Sequence, residues 1–166
     1  MRLDPDVRLD HGWISSRLPH QGRMCLLDEV VHWDLQRICC RSASHRAADH
    51  PLRTHGRLGV ACGIEYAAQA MAVHGALIAA GAPGAPDAPG APDAPGVRGG
   101  LLASVRDVRF EVSRLDDVAG DLYCEATRIA GDRSTVLYEF TVRGAHTPLL
   151  SGRASIVQGA AARLAP

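Results

Sequence analysis

The chain has no lysine, so arginine carries all of its side-chain cation charge, and aromatic residues make up only 4% of its 166 positions. Formal net charge is +0, with no basic cluster interleaved with aromatics. This removes the electrostatic footprint of a nucleic-acid-binding surface. The five cysteines, Cys25, Cys39, Cys40, Cys62 and Cys124, are odd in number and show no CxxC spacing. They read as small apolar residues of a reducing compartment, not as a disulfide framework. Apolar runs are also short, because Glu65, Gln69 and His74 interrupt the best candidate for a membrane span. Residues 1–13 carry charges where a signal peptide has its apolar core. The expectation is a cytoplasmic protein without membrane insertion. The length fits a single domain, 1–166, with residues 1–17 as an N-terminal extension.

What the chain does have is one long apolar-periodic stretch, residues 63–80, GIEYAAQAMAVHGALIAA. Ile64, Ala68, Met71, Gly75 and Ile78 recur at intervals of three and four, which places them on one face of a helix. Alanines on nearly every other side make it slim enough for other structure to wrap. Glu65 stands in the first turn with Gln69 four residues on, close enough for the amide to reach the carboxylate. Two readings of Glu65 are open: an acid favoured by the helix dipole, or a functional carboxyl whose pKa burial raises.

Strand patterns surround this helix. Residues 24–33 are apolar on both parities, and 37–44 pair back on them across Asp34-Leu35-Gln36. Four more extended segments follow, at 101–112, 121–129, 134–143 and 149–158, the last three joined by hairpin-length turns. Residues 81–100 are a Gly/Ala/Pro/Asp repeat with no core-forming side chain before Val97, which is the composition of a flexible surface insertion. The order β-β-α-β-β-β-β predicts an α+β domain in which a curved antiparallel sheet wraps one helix.

The loop before the helix holds His45, His50 and His55. Their spacing fits no helix face, and no Cys or carboxylate set completes a zinc pattern, so no metal site is expected. One of them as an acid or base is the sharper option. Cys62, just ahead of the helix, is the one cysteine placed to act as a nucleophile, given a thiolate-stabilising neighbour.

Three stretches carry a family likeness: LPHQGRMCLLDEVVHWD at 18–34, GIEYAAQAMA at 63–72, and GLLASVRDVRFEVSRLDDVAGDLYCEATRI at 100–129. In their order they resemble the hot-dog fold 3-hydroxyacyl-acyl-carrier-protein dehydratases, with the closest likeness to the dehydratase-like proteins of aryl-polyene and related polyketide clusters. The resemblance spans residues 18–157 apart from the insertion. It implies elimination of water from a 3-hydroxyacyl thioester to the trans-2-enoyl product in fatty acid or polyketide-type synthesis. It further implies that a loop histidine and a helix-start acid do the chemistry, the acid coming from the partner subunit. Glu65 matches the acid. His50 is the first choice for the base, with His20, in the shared Pro-His motif, and His55 as rivals. The resemblance departs from the family pattern at Asp49-His50-Pro51 and at Ala61-Cys62-Gly63, where a Pro-Gly turn is expected.

The chemistry needs a base beside donors that stabilise an enolate-like oxygen, and the backbone amides of Cys62 and Gly63 are the candidates for those donors. Gln69 is expected to hold the carboxylate. The expected partners are a second hot-dog subunit, identical or paralogous, and an acyl carrier protein whose phosphopantetheine enters past Arg53 or Arg57. No other cofactor is expected. A hot-dog thioesterase or isomerase, and a non-catalytic subunit of a heteromeric dehydratase, are the competing readings.

Overall fold

A computed structural model of the chain describes residues 9–81, 100–132 and 134–157. Residues 1–8 of the expected N-terminal extension and 82–99 of the expected insertion lie outside the described residues. The elements in order are α1 (His11–Arg17), β1 (Glu29–Trp33), β2 (Arg37–Ser42), α2 (Gly63–Ala80), β3 (Leu101–Phe110), β4 (Leu122–Gly131), β5 (Thr135–Arg143) and β6 (Pro148–Val157). The six strands form one sheet in the order β1-β2-β4-β5-β6-β3, with every pair antiparallel. The expected meander is β4-β5-β6, and β3 returns to the far side of β6 as an edge.

Period-two patterning decides which face of the sheet is core. In β5, Val136, Tyr138, Phe140 and Val142 are buried, while Thr135 and Glu139 are exposed. In β4 the buried set is Leu122, Cys124 and Ala126. At the β1–β2 hairpin, Asp34 Oδ1 accepts the amides of Gln36 and Arg37 at 2.8 and 3.0 Å, so the turn is held by an Asx side chain. Together with the Arg37 guanidinium, these bonds hold the Asp34 carboxyl down at about 2.

The helix α2 lies over β2, β4, β5 and β6. Its buried side carries Tyr66, Ala67, Ala70, Met71, Val73, His74 and Leu77. Of the apolar face expected at 64, 68, 71, 75 and 78, only Met71 is fully covered; the other four are half-buried. The alanines permit this close approach: a helix with long side chains at 67 and 70 would stand off the sheet. Gly63 lets α2 start close to β6: a Cβ there would overlap the Leu150 side chain, which would have to shift to admit it.

The first strand is shorter than expected. Residues 25–27 are almost fully buried but lie outside the sheet, following a 3-10 turn at Gly22–Met24. Their apolarity on both parities reflects burial against the helix, and side chains meet part of their backbone polarity. Leu26 N–H donates to Gln69 Oε1 at 2.8 Å, while Leu26 O accepts from Ser42 Oγ at 2.5 Å and Ser44 Oγ at 3.0 Å. This detour, crossing next to the start of α2, builds the site.

Candidate active site

Glu65 projects from the first turn of α2 and is met by two side chains. Gln69 Nε2 donates to Glu65 Oε1 at 3.0 Å, as the i, i+4 spacing predicts. The Gln69 amide has one possible orientation. Its oxygen accepts Leu26 N–H, and its nitrogen donates to Met24 O at 2.7 Å, both being backbone groups of fixed polarity. Its second N–H is therefore the one given to Glu65. The same Oε1 lies 3.0 Å from His20 Nε2, with the His20 and Glu65 side chains 33% and 31% exposed. Oε1 thus takes one hydrogen bond, from Gln69, and lies within ion-pair distance of the His20 ring. His20 Nδ1 is buried without a partner.

His50, the first choice for the base, lies elsewhere. Its Nδ1 accepts the Leu52 amide at 3.1 Å, which fixes the neutral ring with its proton on Nε2. That Nε2–H meets the Tyr66 hydroxyl at 2.9 Å, and Tyr66 in turn meets Ser44 Oγ at 2.7 Å. Burial, with the Arg53 charge adding to it, pushes His50 below its ordinary range. Burial also pushes the Tyr66 hydroxyl well up. Both ring nitrogens of His50 are engaged within the chain, and it is His20 that the structure brings to Glu65.

The other expected site residues fall as follows. His55 is exposed at φ +51°, followed by Gly56 at +70°, in the tight turn bridged by Thr54 and Arg57. His45 is buried against Val118 O at 3.1 Å. The three loop histidines therefore diverge. The Cys62 amide donates to Gly59 O at 3.0 Å, and the Gly63 amide is directed at Val60 O and Ala61 O. A 3-10 turn at Val60–Cys62 runs into α2 and consumes both amides, so neither is a free oxyanion donor here. The Cys62 thiol points to Leu52 O at 3.8 Å, and burial pushes its pKa up, away from a thiolate. Arg53 is committed to Ala47 O, Gly56 O and Asp116, whereas Arg57 is exposed.

The sequence reading missed Ser42, Ser44 and Tyr66. A signal for Ser42 was present: it continues the parity of Ile38 and Cys40, placing its hydroxyl on the core-facing side of the strand, whereas Ser44 lies in the 3-10 turn just past it. Inward hydroxyls imply a buried partner.

A long helix laid on a six-stranded antiparallel sheet in this order, with an acid at its first turn, defines a protein of the hot-dog fold. The sequence matches the ApeP-like family, described as ApeP dehydratase, over residues 13–165, and the chain belongs to that family. It is similar in structure to a chain of the dehydratase heterocomplex ApeI:P from Xenorhabdus doucetiae, with 22% identity and a TM-score of 0.67 over 87% of this chain and 90% of that one. It is also similar to AziG of S. sahachiroi, at 15% identity and a TM-score of 0.54 over 81% of this chain and 91% of that one. A mutant of the thioesterase SAV0944 from Staphylococcus aureus aligns at 12% identity and a TM-score of 0.51, over 78% and 90% of the two chains. No curated protein sequence matches the chain. No described helix is long and apolar enough to cross a membrane.

Proposed function

We propose that the chain removes water from a 3-hydroxyacyl thioester carried on the phosphopantetheine of an acyl carrier protein, and that Glu65 and His20 are the acid–base pair. The observation that carries this reading is the meeting at Glu65 Oε1, which accepts from Gln69 Nε2 and lies 3.0 Å from His20 Nε2. In the elimination, a base takes the proton alpha to the thioester carbonyl, those electrons form the C2–C3 double bond, and the C3–oxygen bond breaks as the leaving hydroxyl takes up a proton. Hydroxide is a poor leaving group, so the acid must deliver that proton as the bond breaks. A carboxyl and an imidazole in contact can hold one proton between them and pass it from carbon to oxygen with no net change. The reaction needs no metal or redox cofactor.

A second subunit completes the site in this reading. β3 is an edge strand with Leu102 and Phe110 partly exposed, and Ile64, Ala68, Gly75 and Ile78 of α2 are only half-covered. Edge strands of this kind invite pairing, and half-covered apolar residues of the helix invite burial. The similar ApeI:P structure is of a heterocomplex, which supports a paralogous hot-dog subunit as the partner over a second copy.

The test is turnover of a 3-hydroxyacyl thioester by the chain alone and with a co-expressed paralogue, followed by mass spectrometry. Enoyl thioester formation supports the proposal. Release of free thiol without enoyl product would instead make the chain a thioesterase.

A further inference from the structure

The polar groups behind Glu65 form a closed circuit that the elimination itself does not require. Leu26 is bound at both backbone polar atoms: its N–H by Gln69 Oε1 at 2.8 Å, and its carbonyl by Ser42 and Ser44 Oγ at 2.5 and 3.0 Å. Ser44 Oγ is in turn 2.7 Å from the Tyr66 hydroxyl, which sits 2.9 Å from His50 Nε2. Tyr66 and Gln69 are both on α2, so the circuit leaves the helix at Tyr66 and returns to it at Gln69 by way of Leu26.

Most of its protons have one place. Leu52 N–H occupies His50 Nδ1, so Nε2 carries the hydrogen and donates to Tyr66. Tyr66 therefore donates onward to Ser44, and the Ser44 and Ser42 hydroxyls, 3.0 Å apart, share Leu26 O as their acceptor. Leu26 N–H fixes the Gln69 oxygen, and the Gln69 nitrogen must then face Glu65 Oε1. Tyr66, His50, Ser42 and Gln69 are nearly or wholly buried, where an unpaired polar group is costly and a satisfied network is stiff.

We propose that Tyr66 and Ser44, with His50 behind them, are positioning residues for Glu65, acting through the backbone of Leu26 and the side chain of Gln69. His50 is thereby a strut that holds the acid, not the base that meets the substrate. The proposal rests on the reading of Glu65 as the acid–base group.

The experiment compares wild type with Tyr66→Phe, Ser44→Ala, Ser44→Thr and His50→Gln. Two readouts are taken: kcat and KM for the 3-hydroxyacyl thioester, and the nitrogen-15 NMR shifts of the His20 imidazole at fixed pH in the chain without substrate. The expected result is a fall in kcat of about 10- to 100-fold for Tyr66→Phe and Ser44→Ala with KM little changed, as for other residues that orient a reacting group. The His20 resonances should move toward those of Glu65→Gln, and Ser44→Thr should restore both readouts. Folded Tyr66→Phe and Ser44→Ala proteins with wild-type kcat and wild-type His20 shifts would overturn the proposal. If Tyr66→Phe does not fold, the Ser44→Ala and Ser44→Thr pair decides. If wild type forms no enoyl product, the dehydratase reading falls by itself, and the His20 shifts still decide whether the circuit positions Glu65.

Discussion

His20 Nε2 and Glu65 Oε1 lie 3.0 Å apart within one chain. The first comes from the loop that follows α1 and the second from the start of α2, and Gln69 ties the two regions together by binding Met24 O and Leu26 N–H. On this geometry Glu65→Gln lowers enoyl formation by roughly 100-fold or more, the scale of a lost general acid. His20→Ala should fall into the same range. His50→Ala should fall less, because a strut is removed and no reacting group is. Initial rates of thioester dehydration check the ranking, and a His50→Ala protein less active than His20→Ala would reverse the assignment.

Asp116 binds the pre-helix loop to the segment after β3. Its carboxylate accepts Leu58 N–H at 3.0 Å and pairs with Arg53 at 3.1 Å and with Arg114, and its side chain is 4% exposed. Asp116→Asn is expected to cost about 2 kcal/mol, the scale of hydrogen bonds to a charged group. The Arg114 guanidinium holds this carboxyl far below its usual 3.8. A depressed acid contributes stability that is fully present above its unfolded pKa and lost as pH falls below it. Thermal melts from pH 5 down toward pH 2, a range spanning the unfolded value of about 3.9, should therefore fall more steeply for wild type than for Asp116→Asn.

His74 sits inside α2 with no exposed surface, its Nε2 2.7 Å from Asp34 O and its Nδ1 2.9 Å from the Tyr138 hydroxyl. Burial pushes it below its ordinary 6.5 despite the Asp34 carbonyl, and burial acts in the same direction on His45 and His50. The unfolded chain then binds more protons than the folded one just below pH 6.5. Stability should be full above that pH and decline as pH falls through it. Tyr138→Phe leaves His74 Nδ1 without a donor and should cost about 1–3 kcal/mol in urea unfolding.

Gly63 and Leu150 are packed so that no Cβ fits between them. Gly63→Ala should destabilise the protein by about 1–3 kcal/mol, the usual cost of overpacking a core. Adding Leu150→Ala opens the space again, so the double variant should be more stable than the sum of its two single effects predicts. Strict additivity in denaturant midpoints would show that the contact carries no strain.

Much of this protein is legible in its sequence. The bounds of α2 follow from its three-four spacing, and β5 from clean alternation at 136, 138, 140 and 142. The Glu65–Gln69 bond follows from i, i+4 geometry, which needs no tertiary information. The segment at 25–27 was less legible, because apolarity on both parities marks a chain buried on all sides whether or not it is a strand. The helix stripe at 64, 68, 75 and 78 is half-covered for a related reason. Periodicity identifies an apolar stripe but does not say which stripe of an all-apolar helix meets the sheet.

The sequence by itself determined the order of elements, the slim helix and the acid in its first turn, because each depends on residues within a few positions of one another. Only the tertiary structure decided which histidine of the same chain meets that acid. Leu26 and Gln69 are 43 positions apart, and their bond exists because the chain leaves the sheet at 25–27 to cross the start of α2. The same crossing brings the preceding loop, with His20, to Glu65. Meanwhile the Leu52 amide and Tyr66 hold His50 in a different set of hydrogen bonds. Contacts of that range follow from how the elements pack, and no local pattern in the sequence encodes them.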